Sequence, residues 1–167
     1  MTDFVHYELL TLSFDPADAP TRSAPTSSYY YNSDKATPEA TLFSQGAAAA
    51  RELKLTSADV VCLPVTLNHS MGFGFGLLAA WHAGAALVLP SPAPDASATL
   101  AAVKSEACSI LFADSHTLKA LADVDREQVP SLRGGLTKVG SGESFGLGEP
   151  RVFAGVGLVT VGKPPSQ

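Results

Sequence analysis

With 167 residues, 46% of them hydrophobic and 16% charged, the chain has the length of one domain with a substantial core. A formal net charge of −5 gives no electrostatic reason to expect nucleic acid as a partner, and membrane contact is left open. No apolar run approaches the ~20 residues of a spanning helix. The first residues, MTDFVHYELLTLSFDPADAP, lack the basic start and small-residue cleavage site of a secretory signal, so the chain is not expected to be secreted.

Residues 1–28 are rich in Pro, Ser, Thr and Asp and read as an extended arm, with one apolar patch at 7–12 that suits a short edge strand. A single α/β domain is expected over 29–167. The run Tyr29-Tyr30-Tyr31 has strong β character and ends in the turn signal Asn32-Ser33-Asp34. Thr37-Pro38-Glu39 reads as a helix start, with Thr37 as N-cap and Pro38 in the first helical position, and the helix should stop near Leu55.

The stretch 59–90, DVVCLPVTLNHSMGFGFGLLAAWHAGAALVLP, organises the rest. Residues 60–63 form a continuous apolar run, as a strand buried on both faces requires. After a polar loop, 72–82 reads as helix, Gly84 as its C-cap, and 85–89 as a second buried strand. Strand, helix and strand make a βαβ unit with parallel strands. The alternation continues with a helix over 95–106 that places Leu100 and Val103 on one face, a strand over 108–113 and a short helix over 115–121. A charged connection over 124–133, a fourth strand over 134–139, a glycine-rich loop at 140–143 and an apolar run over 156–161 complete the pattern. The predicted class is α/β, a mainly parallel sheet with flanking helices.

Few residues suggest chemistry directly. Cys62 and Cys108 both lie in apolar strand-like runs and read as buried free thiols of a reducing compartment. His6, His69, His82 and His116 are scattered, and no Cys/His/Asp/Glu spacing points to a metal. Gly72-Phe73-Gly74-Phe75-Gly76 lacks the spacing of a dinucleotide fingerprint, so close packing of a helix on the sheet is the reading adopted for these glycines. Ser141, in Gly140-Ser141-Gly142, lacks the G-x-S-x-G spacing of a nucleophile elbow and reads as a turn, and Trp81 suits core packing or an interface.

Several segments, in this order, resemble the adenylate-forming superfamily of acyl-CoA synthetases, and most of all its medium-chain members. The similarity runs from Tyr30 to Val139, with an echo at 160–165. It is carried by Leu63-Pro64-Val65-Thr66-Leu67-Asn68-His69-Ser70-Met71-Gly72, by His82-Ala83-Gly84-Ala85-Ala86-Leu87-Val88-Leu89-Pro90, by 98–112, and by Leu132-Arg133-Gly134-Gly135 with Gly140-Ser141. The resemblance implies a fragment of the family's N-terminal α/β domain. It also implies an acyl pocket whose vestige would be His69, with Gly72 opening the next helix. The reading preferred for His69 is a loop or core histidine satisfied by backbone.

The departures from the family pattern carry the functional expectation. Where the resemblance places a Ser/Thr/Gly-rich phosphate loop closing in Pro-Lys, this chain reads Tyr31-Asn32-Ser33-Asp34-Lys35-Ala36-Thr37-Pro38-Glu39, without a glycine. Ser33, Asp34, Lys35, Thr37 and Glu39 thus form a degenerate phosphate loop, in which Glu39 stands in place of the lysine. A like charge at ~4 Å and an effective dielectric near 20 costs about 4 kcal/mol before screening. The family's nucleotide and magnesium motif is not found between Ser141 and Val161, and its lobe before Tyr30, ribose acid and C-terminal lid are expected to be missing. The expectation is a catalytically inactive relative with no cofactor, serving as a structural or accessory subunit of a larger protein assembly. It would be held by its N-terminal arm and an exposed sheet edge. A mitochondrial host such as an ATP synthase, a respiratory complex or a mitoribosome is expected from the resemblance, with the cytoplasm as the other location. The competing expectations are an acyl or acyl-CoA binding module without ligase activity and, with least support, an active adenylating enzyme.

Overall fold

The computed structural model describes residues 28–30, 36–138, 151–153 and 158–162. The arm before Ser28, with the patch at 7–12 and His6, lies outside the described residues. So do the turn at 32–34, Ser33, Asp34 and Lys35, the loop at 140–143 with Ser141, and the segment from Lys163 onward.

Among the described residues six strands form one sheet in the order β4-β3-β5-β6-β8-β7. Its first four strands, β4 (Ala86–Val88), β3 (Val60–Cys62), β5 (Ile110–Ala113) and β6 (Gly134–Lys138), are mutually parallel. Strand β8 (Leu158–Gly162) joins β6 antiparallel, and β7 (Arg151–Phe153) joins β8 antiparallel. A separate antiparallel pair, β1 (Ser28–Tyr30) and β2 (Ala36–Pro38), precedes helix α1 (Glu39–Glu52).

The continuous apolar runs are explained by burial on both faces of the sheet. Alternate residues feed two cores. Val61, Ile110, Phe112 and Leu136 join α1 and the segment 71–83 on one side, while Cys62, Leu111 and Ala113 join α3 (Ala96–Ser105) and α4 (Ser115–Ala120) on the other. Phe112 is wholly buried and Phe75 meets Phe153 edge-on at 5.6 Å. Both cysteines are free and completely buried, as read from the sequence. The neighbouring Cys108 sulfur and burial together push the Cys62 thiol up.

Helix starts follow local chemistry. Asp95 accepts from Ala98 N–H at 2.9 Å and opens α3, and Asp114 accepts from Thr117 N–H at 2.8 Å and opens α4. The start of α1 differs from expectation by one register. Pro38, extended at φ −61° and ψ 144°, takes the cap position without a side-chain bond, and Thr37 belongs to β2 opposite Tyr29. Strand pairing, which the sequence does not announce, claims Thr37 before it can cap. The helix ends at Glu52, short of Leu55, and β5 begins at Ile110, after Cys108.

The predicted helix over 72–82 has two parts. Met71–Leu77 is π-helical, with Phe75 N–H reaching Ser70 O at 3.0 Å, and it runs directly into α2 (Leu78–Ala83). A β-carbon on Gly72 would lie 2.2 Å from Thr66 O, and one on Gly76 would lie 2.6 Å from Leu63 Cδ1. The segment therefore lies directly against the chain leaving β3, which is the close packing read from these glycines. The i→i+5 pattern keeps residues four and five apart on that face. Gly84 then takes φ +65° and ends α2, as predicted.

Candidate functional site

The connections that follow β3 and β5 leave for opposite faces of the sheet: 71–83 packs on one core and α4 on the other. Adjacent strands whose connections diverge leave a crevice at their carboxyl ends, where open α/β sheets place ligands. The loop over 63–70 rises from that edge. Beside it opens a cleft of about 220 Å³ between the chain leaving β3 and the chain leaving β4. Its walls are mainly apolar, with Leu63, Val65, Leu67 and Leu89 on them, and Thr66 and Ser91 add hydroxyl groups.

His69 is exposed on the loop. Its Nδ1 accepts the Met71 N–H at 3.1 Å, and its carbonyl accepts from Gly72 N–H at 2.9 Å and Phe73 N–H at 3.0 Å. The imidazole thus acts as a cap for the π-helical segment, satisfying an otherwise orphaned amide. An accepting Nδ1 leaves the ring proton on Nε2, which becomes the donor. His69 and Gly72 therefore form one unit, the first turn of the segment.

Thr37 and Glu39 lie elsewhere in the chain path. Thr37 is half-buried in β2, and Glu39 is exposed in the first turn of α1, where a carboxylate favours the positive end of the helix. Among the described residues no hydrogen bond or ion pair joins either of them to His69 or Gly72. Trp81 is half-buried and meets Phe43 of α1 with ring centroids 5.4 Å apart.

The opposite, amino-terminal edge of the parallel strands holds a polar cluster that sequence reasoning passed over. Arg133 clasps Asp59 through Nε at 2.9 Å and a second nitrogen at 2.8 Å, and it also donates to the carbonyls of Leu53 and Lys54. Ser109 donates to Asp59 at 2.7 Å and accepts the Val60 N–H at 3.1 Å, while Thr56 N–H adds a bond at 2.9 Å. Asp59 is 6% exposed. Burial works to raise its pKa, but the bonds from Arg133, Ser109 and Thr56 outweigh it and hold the carboxyl down at about 2. Asp59, Ser109 and Arg133 each stand one residue before a parallel strand, so this set ties three strand starts to the end of α1. One polar residue just ahead of each apolar run was the available signal.

A parallel sheet with a divergent strand pair, a glycine-packed helical segment after β3 and flanking helices on both faces defines an α/β scaffold. The family described as "AMP-binding enzyme" matches residues 38–159, and the chain belongs to that family. Its fold is a fragment of the family's N-terminal domain. Over 71 residues the chain is 39% identical to the acyl-CoA ligase sidI of Beauveria bassiana, covering 42% of this chain. Over 74 residues it is 37% identical to the acyl-CoA ligase sidI of Aspergillus fumigatus, covering 44% of this chain. In each case the chain spans 12% of the length of the relative it matches. The family match begins at residue 38, within the stretch 31–39 that the resemblance set against a phosphate loop, and takes in only its last two residues.

Proposed function

We propose that this chain is a non-catalytic acyl-CoA-ligase-like scaffold that does not form an acyl adenylate and works as a structural or accessory subunit of a larger protein assembly. The approach to α1 carries this reading. A helix start holds phosphate through its free N–H groups, which need an unobstructed glycine-rich turn ahead of them. Here the approach over 31–39 has no glycine, and a carboxylate, Glu39, occupies the first turn of α1. A triphosphate brought to this end would meet negative charge in place of a lysine. The test is ATP–pyrophosphate exchange dependent on medium-chain carboxylic acids, with the full chain as enzyme. Exchange is expected at background, and exchange above it would refute the loss of adenylation. The accessory role is checked by gentle extraction and identification of what co-purifies; a chain that is stable and monodisperse alone counts against it.

The cleft beside the 63–70 loop favours a second reading, an acyl or acyl-CoA binding module without ligase activity. A mainly apolar cleft at the carboxyl edge of a parallel sheet is the usual setting for such a ligand. Binding of octanoyl-CoA at ~100 times its dissociation constant would raise stability by about 3 kcal/mol. Absence of any thermal shift at saturating ligand would exclude it.

A further inference from the structure

We propose that Ser91 is a phosphoacceptor for a proline-directed Ser/Thr kinase, and that its phosphate closes the apolar cleft. The closing half rests on the acyl-binding reading above; the acceptor half does not.

The sequence holds one Ser-Pro, Ser91-Pro92, and one Thr-Pro, Thr37-Pro38. The structure treats the two differently. Both residues are half-buried, but Thr37 stands within β2, paired with Tyr29, so its backbone is committed to a ladder. Ser91 lies between the end of β4 at Val88 and the start of α3 at Ala96, outside any helix or strand. Pro92, Ala93 and Pro94 beside it are exposed, and so is Leu89 at 43%. The alternation Pro90-Ser91-Pro92-Ala93-Pro94 removes three backbone donors and fixes φ at alternate residues. Such a segment, bent at Pro92 and Ala93 and exposed over 92–94, can be reached by a kinase without unfolding the domain.

The same residue lines the cleft. Its hydroxyl donates to the Ala93 carbonyl and so holds the turn of this loop. In the transfer, Ser91 Oγ attacks the γ-phosphorus of ATP, the Oγ–P bond forms, the bond to the ADP oxygen breaks, and the hydroxyl proton passes to the kinase base. The product has lost the donor that held the turn. It carries ≈ −1.5 to −2 charge against Leu63, Val65, Leu67 and Leu89. Among the described residues none of the cleft's lining side chains is charged. The charged side chain ahead on the loop is Asp95, an acid already engaged with the start of α3. With no cation among the described lining residues to receive it, the phosphate moves to water and takes the loop with it, which removes the apolar wall and so closes the site to an acyl ligand.

The experiment treats the full chain with a proline-directed kinase and ATP, locates phosphate by peptide mass spectrometry, and measures binding of octanoate and of its uncharged amide by calorimetry. Ser91→Ala and Thr37→Ala are run alongside, with denatured chain as acceptor control. Phosphate on Ser91 of the folded chain is expected, with none in Ser91→Ala. Dissociation constants for both ligands should rise at least about tenfold on modification, while kinase treatment of Ser91→Ala, which lacks the acceptor, should leave that variant's own constants where they were. Phosphate on Ser91 only after denaturation would overturn the acceptor assignment. Full modification with unchanged affinity would overturn the closing. If the unmodified chain binds neither ligand, the acyl-binding reading and the closing fall together, while the mass measurement still decides the acceptor.

Discussion

Replacing Arg133 with methionine keeps the aliphatic stem and removes the guanidinium that clasps Asp59 and donates to Leu53 and Lys54. Removing one partner of a buried pair costs about 3–5 kcal/mol, because the other is left charged and unpaired. The Arg133 side chain is 30% exposed, which places the expected loss at about 3 kcal/mol. For a chain of this length that lowers Tm by about 6–12 °C. The pH dependence gives an independent check. Asp59 is held below its ordinary 3.8, at about 2. A depressed carboxyl contributes stability that is complete above the unfolded value and lost as pH falls through the folded one. The difference corresponds to about 2 kcal/mol at neutral pH and about 1 kcal/mol near pH 3. Urea unfolding of wild type and Arg133→Met at both pH values should therefore show the gap narrowing on acidification. A neutral-pH loss under about 1 kcal/mol, or a gap that is the same at both values, would refute the reasoning.

Three further substitutions test the packing. Gly72→Ala sets a β-carbon 2.2 Å from the Thr66 carbonyl oxygen, so the 63–70 loop must shift; a loss of about 1–3 kcal/mol is expected by chemical denaturation. Gly84→Ala meets no side chain closer than Ser57 Cβ at 3.8 Å, so its cost of about 1–2 kcal/mol comes from the φ of +65° alone, and Gly84→Asn should recover part of it. Asp95→Ala removes the bond to Ala98 N–H, and about 1 kcal/mol is expected, with Asp95→Ser close to wild type. Equal melting temperatures for Asp95→Ala and wild type would remove the cap from the account of α3.

The sequence by itself determined the alternation of elements. Runs such as 60–63 and 110–113 are apolar at every position because both faces of a parallel sheet are covered. The stop at Gly84 was equally legible, because a left-handed residue there excludes most side chains. These are local constraints, settled within a few residues. Tertiary structure alone decided that Val61 and Cys62 serve opposite cores, that β4 flanks β3 on the side away from β5, and that Thr37 joins a strand before it can cap. It also decided that Met71–Leu77 is π-helical, where backbone from the preceding loop presses on Gly72. The Asp59–Arg133 pair joins residues 74 apart, and Ser91 and Leu63, which follow different strands, line one cleft. No local preference reaches that far; such contacts form only once burial of the apolar runs has fixed the order of the strands.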